Sequence, residues 1–184
     1  MFLPYRYADD IYDRIWTSLT EDKWKPSINI PLSYEKSLSK GEFVLPFTVM
    51  STAYTGNKTN NYLNGIDFWD LNKTSSYCFY MHFAELEKLE KNQSRQFNIY
   101  VNNDWWFGPV NLDYLSTHTI RSGRRCERAD SMGKISIWLQ NTDNATLPPL
   151  INALEVYERM EFSQQETNQT DGIIKSRQEI FSSL

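Results

Sequence analysis

The 184 residues predict an all-β fold, an antiparallel β-sandwich or jelly roll, on three observations. Short runs alternate apolar and polar side chains with a period of two. Asn, Gly and Pro punctuate the gaps, and helical periodicity is nearly absent before the carboxyl-terminal segment. The length suits one domain with a sizeable core. That domain is expected over residues 1–158, followed over 159–184 by a polar linker and a short helix or tail.

Near the start, "YDRIW" (12–16) ties down the first strand, with Asp13 and Arg14 read as a charge pair and Tyr12, Ile15 and Trp16 as packing residues. "FVLPFTVM" (43–50) reads as a strand, followed by a long polar loop through Gly56, Asn57, Asn60, Asn61, Asn64 and Gly65. "YCFYMHFAEL" (77–86) is apolar on both faces, as a central strand is. "AELEKLEKN" (84–92) has helix-forming composition but is too short and too charged to hold a helix alone.

In "QFNIYVN" (96–102), Phe97, Ile99 and Val101 face a core, while Asn98, Tyr100 and Asn102 face water. "NNDWWFGPV" (102–110) carries turn chemistry in Asn-Asn-Asp and Gly-Pro. "KISIWLQ" (134–140) sets Ile135, Ile137 and Leu139 against Ser136, Trp138 and Gln140, and "LINALEVYE" (150–158) closes the set after Pro148-Pro149. Beyond the polar "SQQETNQT", Ile173, Ile174, Arg177, Ile180, Phe181 and Leu184 are spaced like one face of a helix.

A net charge of −4 argues against a nucleic-acid binder. Arg121, Arg124, Arg125 and Arg128 are interrupted by Ser, Gly, Cys and Glu and read as a solvated loop. The two cysteines have no metal-ligand spacing, and no metal or other cofactor is expected. Cys78 lies in an apolar run, as a buried free thiol does; a bridge to Cys126 requires the polar loop around Cys126 to fold back. "MFLPYRYADD" lacks the apolar stretch of a signal peptide, and no run is long enough to insert in a membrane.

No catalytic constellation emerges. His82 in its apolar run reads as a packed histidine, His118 has no nucleophile context, and no two carboxylates have a recognisable catalytic spacing. Binding is the better expectation, since aromatics make up 15% of the chain, more than the core of such a sandwich needs. Trp105, Trp106 and Phe107 stand at a turn. Neighbours on an extended backbone point to opposite faces, so an inward Trp106 places Trp105 and Phe107 outward, or the reverse. An exposed ring offers a flat apolar face for sugar C–H groups, and Asn102, Asn103, Asp104, Asp113 and Tyr114 supply polar partners. Five N-glycosylation acceptors, at Asn57, Asn72, Asn92, Asn144 and Asn168, fall between or beyond the apolar runs.

Three phrases, "DDIYDRIW", "FYMHFAELEKLEKNQSRQFNIYVNNDWWFGP" and "NATLPPLINALEVY", resemble the malectin-like ectodomain of plant leucine-rich-repeat receptor-like kinases. The likeness runs from about Tyr5 to Tyr157 and is to the second of two malectin folds carried in tandem. It implies a malectin-type sandwich at the extracellular face of the plasma membrane. Its partners would be a carbohydrate, a peptide or a co-receptor ectodomain, and the kinase a separate domain. Relative to that pattern, the signal peptide, the first malectin fold, the repeats, the membrane span and the kinase are missing. The alternatives are a spacer without a ligand of its own and, further off, a carbohydrate-active hydrolase.

Overall fold

The computed structural model describes residues 4–18, 26–56, 62–123, 126–160 and, through the backbone, 178–182. In chain order its strands are β1 (Tyr5–Arg6), β2 (Ile15–Ser18), β3 (Pro26–Asn29), β4 (Thr52–Thr55) and β5 (Tyr62–Phe68). There follow β6 (Ser76–Phe83), β7 (Gln96–Val101), β8 (Asp104–Asn111), β9 (His118–Arg121) and β10 (Glu127–Arg128). The last are β11 (Ile135–Asn141), β12 (Leu150–Ile151), β13 (Ala153–Arg159) and β14 (Gln178–Ser182).

They form a seven-stranded sheet in the order β1-β2-β14-β13-β6-β10, with β9 also on β6, and a four-stranded sheet, β5-β11-β7-β8. A smaller sheet pairs β12, β4 and β3. All pairings are antiparallel except β14 with β2. The two larger sheets share one core. Phe83 of β6 meets Phe97 of β7 with ring centroids 5.5 Å apart, and Phe79 meets Trp106 of β8 at 6.5 Å. Ile99, Val101, Ile135, Ile137 and Leu139 are buried between them, as their alternation requires. Asn98, Asn102 and Gln140 on the opposite face are half-buried rather than open, because that face carries large side chains of its own.

Most of the expected strands form. β6 is central, flanked by β13 on one side and by β9 and β10 on the other. Its outward Tyr80 and His82 are covered by Phe43, whose ring lies 5.2 Å and 6.1 Å from theirs. Between β7 and β8, Asn102 and Asn103 adopt left-handed φ values of 51° and 70°. A two-residue hairpin of this kind requires such values, and Asn tolerates them. The Asn102 side chain then fixes the tip: its Oδ1 accepts the Ser136 N–H at 3.1 Å, and its Nδ2 donates to the Arg128 carbonyl at 3.0 Å.

Four expectations are corrected. Residues 43–50 are not a strand: Pro46, which has no N–H for a ladder, starts the short helix α1 (Phe47–Met50), and the strand begins at Thr52. The polar stretch 56–65 is not all loop, for Tyr62, Leu63, Asn64 and Gly65 open edge strand β5, with a bulge opposite Ile137–Leu139. At the carboxyl end, Gln178–Ser182 is strand β14 between β2 and β13, not a helix; the free edge of β13 supplies backbone partners that override the helical spacing. Residues 161–177, with the rest of that expected face, lie outside the described residues. Finally, Asp13 pairs with Arg6 at 2.6 Å, not with Arg14. Tyr12 and Ile15 are exposed, and only Trp16 of that trio is in the core.

Cys78 and Cys126 form a disulfide, so the thiol of Cys78 is not free. The loop folds back because β10 pairs with the start of β6, Glu127 opposite Tyr77, which brings the two cysteines side by side.

Candidate functional site

Strand β8 runs along the edge of the four-stranded sheet and displays its aromatics alternately. Trp105 is 60% exposed and Phe107 45%, whereas Trp106 turns inward against Phe79. Asn103 and Asp104 are exposed at the hairpin tip beside Trp105. Tyr114 is not part of this group. It lies beyond the far end of β8, where it bridges to Glu85 and meets Tyr34, with the exposed Asp113 next to it. Asn102 is committed to the hairpin tip.

Register extends the surface beyond the residues singled out by sequence. Trp105 is opposite Tyr100 on β7, and Tyr100 is opposite Trp138 on β11, so three aromatics stand side by side on three neighbouring strands. Tyr100 and Trp138 stack with centroids 4.3 Å apart and planes 18° from parallel. Each ring covers one face of the other. Past Trp138 the sheet surface drops at Gly65. There an open recess of about 330 Å³ is lined by Tyr62, Gly65, Asp67, Asn103, Ser136 and Trp138. A Cβ at Gly65 would come within 3.1 Å of Asp67 Oδ1, so glycine keeps the floor low.

Polar groups in the recess are already ordered. The Ser136 hydroxyl donates to Asp67 Oδ1 at 2.7 Å, and Lys134 Nζ pairs with Asp67 Oδ2 at 2.9 Å. The Trp138 Nε1–H is buried and has no partner among the described residues. Two flat rings, a lowered floor and ordered polar edges suit a flat, hydroxyl-bearing ligand. Tyr62, Tyr100 and Trp138 were missed because sequence shows which side of a strand a residue takes, not which residue it meets across strands.

A second group of charged residues is buried against the opposite sheet. Arg14 donates to Asp10 at 2.9 Å, to Glu155 at 3.0 Å and to the Val44 carbonyl at 3.1 Å. His82 lies between Thr119 and Glu155, each at 2.9 Å, and the Tyr157 hydroxyl donates to Glu155. Burial pushes the His82 imidazole below its ordinary pKa against the opposing pull of Glu155. Burial would raise the Glu155 carboxyl, but the His82 and Tyr157 hydrogen bonds and the Arg14 charge outweigh it and hold it low. This cluster locks the amino-terminal segment to β6 and β13, and Arg14, Glu155 and Tyr157 stand at the base of a recess of about 380 Å³ that Tyr12, Phe43 and Tyr80 complete. Among the described residues, no group of three or more His, Cys, Asp or Glu side chains is placed to hold a metal.

Asn72, Asn92 and Asn144 are exposed in turns between strands. Asn57 and Asn168 lie outside the described residues.

Comparison with known proteins agrees with this architecture. A probable LRR receptor-like serine/threonine-protein kinase of Arabidopsis thaliana is 36% identical over 168 residues, which cover 90% of this chain and 18% of that protein. The LRR receptor-like serine/threonine-protein kinase IOS1, also of Arabidopsis thaliana, is 33% identical over 172 residues, 91% of this chain and 18% of its own length. The chain thus spans under a fifth of these relatives. Among solved structures, the ANX2 ectodomain from Arabidopsis thaliana superposes with a TM-score of 0.65 at 16% identity, over 85% of this chain and 47% of that one. The structure of the plant peptide RALF23 in complex with FER and LLG2 gives 0.66 at 18% identity, over 85% and 46%. The family profile described as the malectin-like domain matches residues 2–159, and the chain belongs to that family.

Proposed function

We propose that this chain is a recognition domain of a receptor-like kinase ectodomain, without catalysis of its own, and that its ligand is a plant cell-wall glycan seated on the outer face of the four-stranded sheet. The observation that carries the reading is the row Trp105, Tyr100 and Trp138 beside the recess over Gly65. Pyranose rings present C–H groups on one face and hydroxyls at the rim, which match aromatic walls with Asn103, Asp67 and Ser136 between them. The Cys78–Cys126 disulfide supports an extracellular placement, since such bonds persist in oxidising compartments. So do three acceptor asparagines on exposed turns.

The test is calorimetric titration of the chain with neutral and acidic cell-wall oligosaccharides, beside Gly65→Val. The variant raises the floor of the recess from outside the core and pushes on the Asp67 carboxylate, so it should stay folded with a modestly lowered Tm and bind at least tenfold more weakly. A parent that binds none of the sugars, or a variant that binds equally well, defeats the glycan reading.

A second reading follows from the FER likeness, whose solved structure contains the peptide RALF23 and the protein LLG2. On this reading the chain takes a peptide together with a co-receptor. Edge strand β8 is a poor template for adding a peptide strand, because it bulges twice against β7 and Pro109 lacks an N–H. A peptide would therefore use loops, and Trp105→Ala would leave its binding unchanged.

A further inference from the structure

The turn leaving β5 builds a second aromatic surface. Trp69 is 54% exposed, and Lys134 Nζ lies 4.5 Å over its ring, covering one face. Asp70, at a φ of 57°, bends the chain back, and the Leu71 N–H donates to the Gly133 carbonyl at 2.9 Å. The Asn72 backbone is then held at both ends: its N–H donates to Tyr77 Oη at 2.8 Å, and its carbonyl accepts from that hydroxyl at 3.3 Å and from the Ser75 N–H at 3.2 Å. The Asn72 Oδ1 accepts from the Thr74 N–H at 3.1 Å and the Thr74 hydroxyl at 2.8 Å. Its Nδ2 is left without a partner among the described residues.

Beside it opens a recess of about 240 Å³, bounded by Trp69, Asn72, Tyr77, Val156 and Glu158 among others. Tyr77 and Val156 belong to the core, so the recess reaches the edge of it. The acceptors at Asn92 and Asn144 differ: neither has an aromatic residue within three positions.

We infer that Asn72 carries an N-linked glycan whose first N-acetylglucosamine docks against Trp69 in this recess and closes that end of the sandwich. Nδ2 loses a proton and bonds to the anomeric carbon of an oligosaccharide released from its lipid-linked diphosphate donor by the secretory glycosyltransferase. The sugar's C–H face lies on the open face of the indole, and Glu158 accepts from its hydroxyl or acetamido N–H. The held turn limits the freedom of the linkage, so little ordering entropy is lost when the sugar settles. This inference rests on the extracellular placement proposed above.

The experiment secretes the full chain from a eukaryotic host behind a signal peptide, with Asn57, Asn92, Asn144 and Asn168 each changed to Gln, and reads occupancy by peptide mass mapping and Tm by calorimetry. Asn72 should be occupied. Trimming to a single N-acetylglucosamine should leave Tm unchanged, and Asn72→Gln should lower it by about 2–4 °C. In a Trp69→Ala background Asn72→Gln should have no further effect, and Trp69→Phe should keep most of it. A bare Asn72, an Asn72→Gln variant that melts like the parent, or an effect undiminished by Trp69→Ala overturns the inference. A bare Asn72 in the native sequence while Asn92 and Asn144 are occupied overturns it alone and leaves the extracellular reading standing. Glycan binding at the Trp105 platform is read independently by titration.

Discussion

Tyr100 and Trp138 stack 4.3 Å apart on neighbouring strands, on the face of the sheet turned away from the core. Cross-strand aromatic pairs of this kind are worth about 1 kcal/mol beyond the area they bury. A double-mutant cycle with Tyr100→Ala and Trp138→Ala, followed by urea denaturation, should therefore return a coupling energy of about 1 kcal/mol. Strictly additive losses would mean that the rings lie side by side without supporting each other.

Trp105 and Trp106 are adjacent in sequence and opposite in role. Trp105→Ala should leave Tm within a degree or two and weaken glycan binding about fivefold or more, the loss of one stacking contact. Trp106→Ala removes the ring packed on Phe79 and should destabilise the fold by about 2–4 kcal/mol. Thermal melts and titrations on the two variants separate platform from core. The assignment fails if Trp105→Ala is the one that melts early.

Arg14 and Arg6 test what burial does to an ion pair. Arg14→Ala strands the buried Asp10 and Glu155 carboxylates and should cost about 3–5 kcal/mol. Arg14→Lys should recover little of this, since one ammonium cannot reproduce the guanidinium fork that meets Asp10, Glu155 and the Val44 carbonyl together. Arg6→Ala breaks only the exposed pair with Asp13 and should cost under about 1 kcal/mol.

The same buried cluster predicts a loss of stability in acid. Burial holds His82 neutral in the folded chain, while in the unfolded chain an imidazole takes a proton below about pH 6.5. The unfolded state then binds more protons, so stability falls as pH drops from about 6.5. Asp10 and Glu155 act in the same direction lower down. Burial would raise both carboxyls, but hydrogen bonds from Arg14 and Trp16 to the first, and from His82 and Tyr157 to the second, hold them low. Their contribution is complete above about pH 4 and is lost as pH falls through the lowered folded values. Tm should be highest near neutrality and decline in two stages, and His82→Gln should remove the first. A profile flat from pH 7 to pH 5 would show that His82 is protonated in the fold.

The strands were legible where one face is buried and the other is not, as Phe97, Ile99 and Val101 and their partners Ile137 and Leu139 show. Local period failed where tertiary partners decide. The spacing of Ile173, Ile174, Ile180 and Phe181 suits a helix, yet Gln178–Ser182 meets an open strand edge and pairs with it. Arg14 has Asp10 four residues away, a spacing open to sequence reasoning, but its partner Glu155 is 141 residues distant and invisible there. The platform was half legible. Trp105 and Phe107 were expected outward if Trp106 turned in, whereas Tyr100, Trp138 and Tyr62 join them only through register.

The disulfide between Cys78 and Cys126 closes a loop that contains β7, β8 and β9 whole. In chain-entropy terms, a loop of 48 residues makes the unfolded state less favourable by about 4 kcal/mol. It also makes this part of the molecule tolerant of being cut. A protease that nicks the turn near Asn92 or the stretch near Leu115 produces two polypeptides that remain one covalent object, with Trp105 and Tyr100 still tethered to β6. On a gel such nicked material runs as a single band until reductant is added, and a domain exposed to hydrolases could be scarred there without shedding its aromatic face.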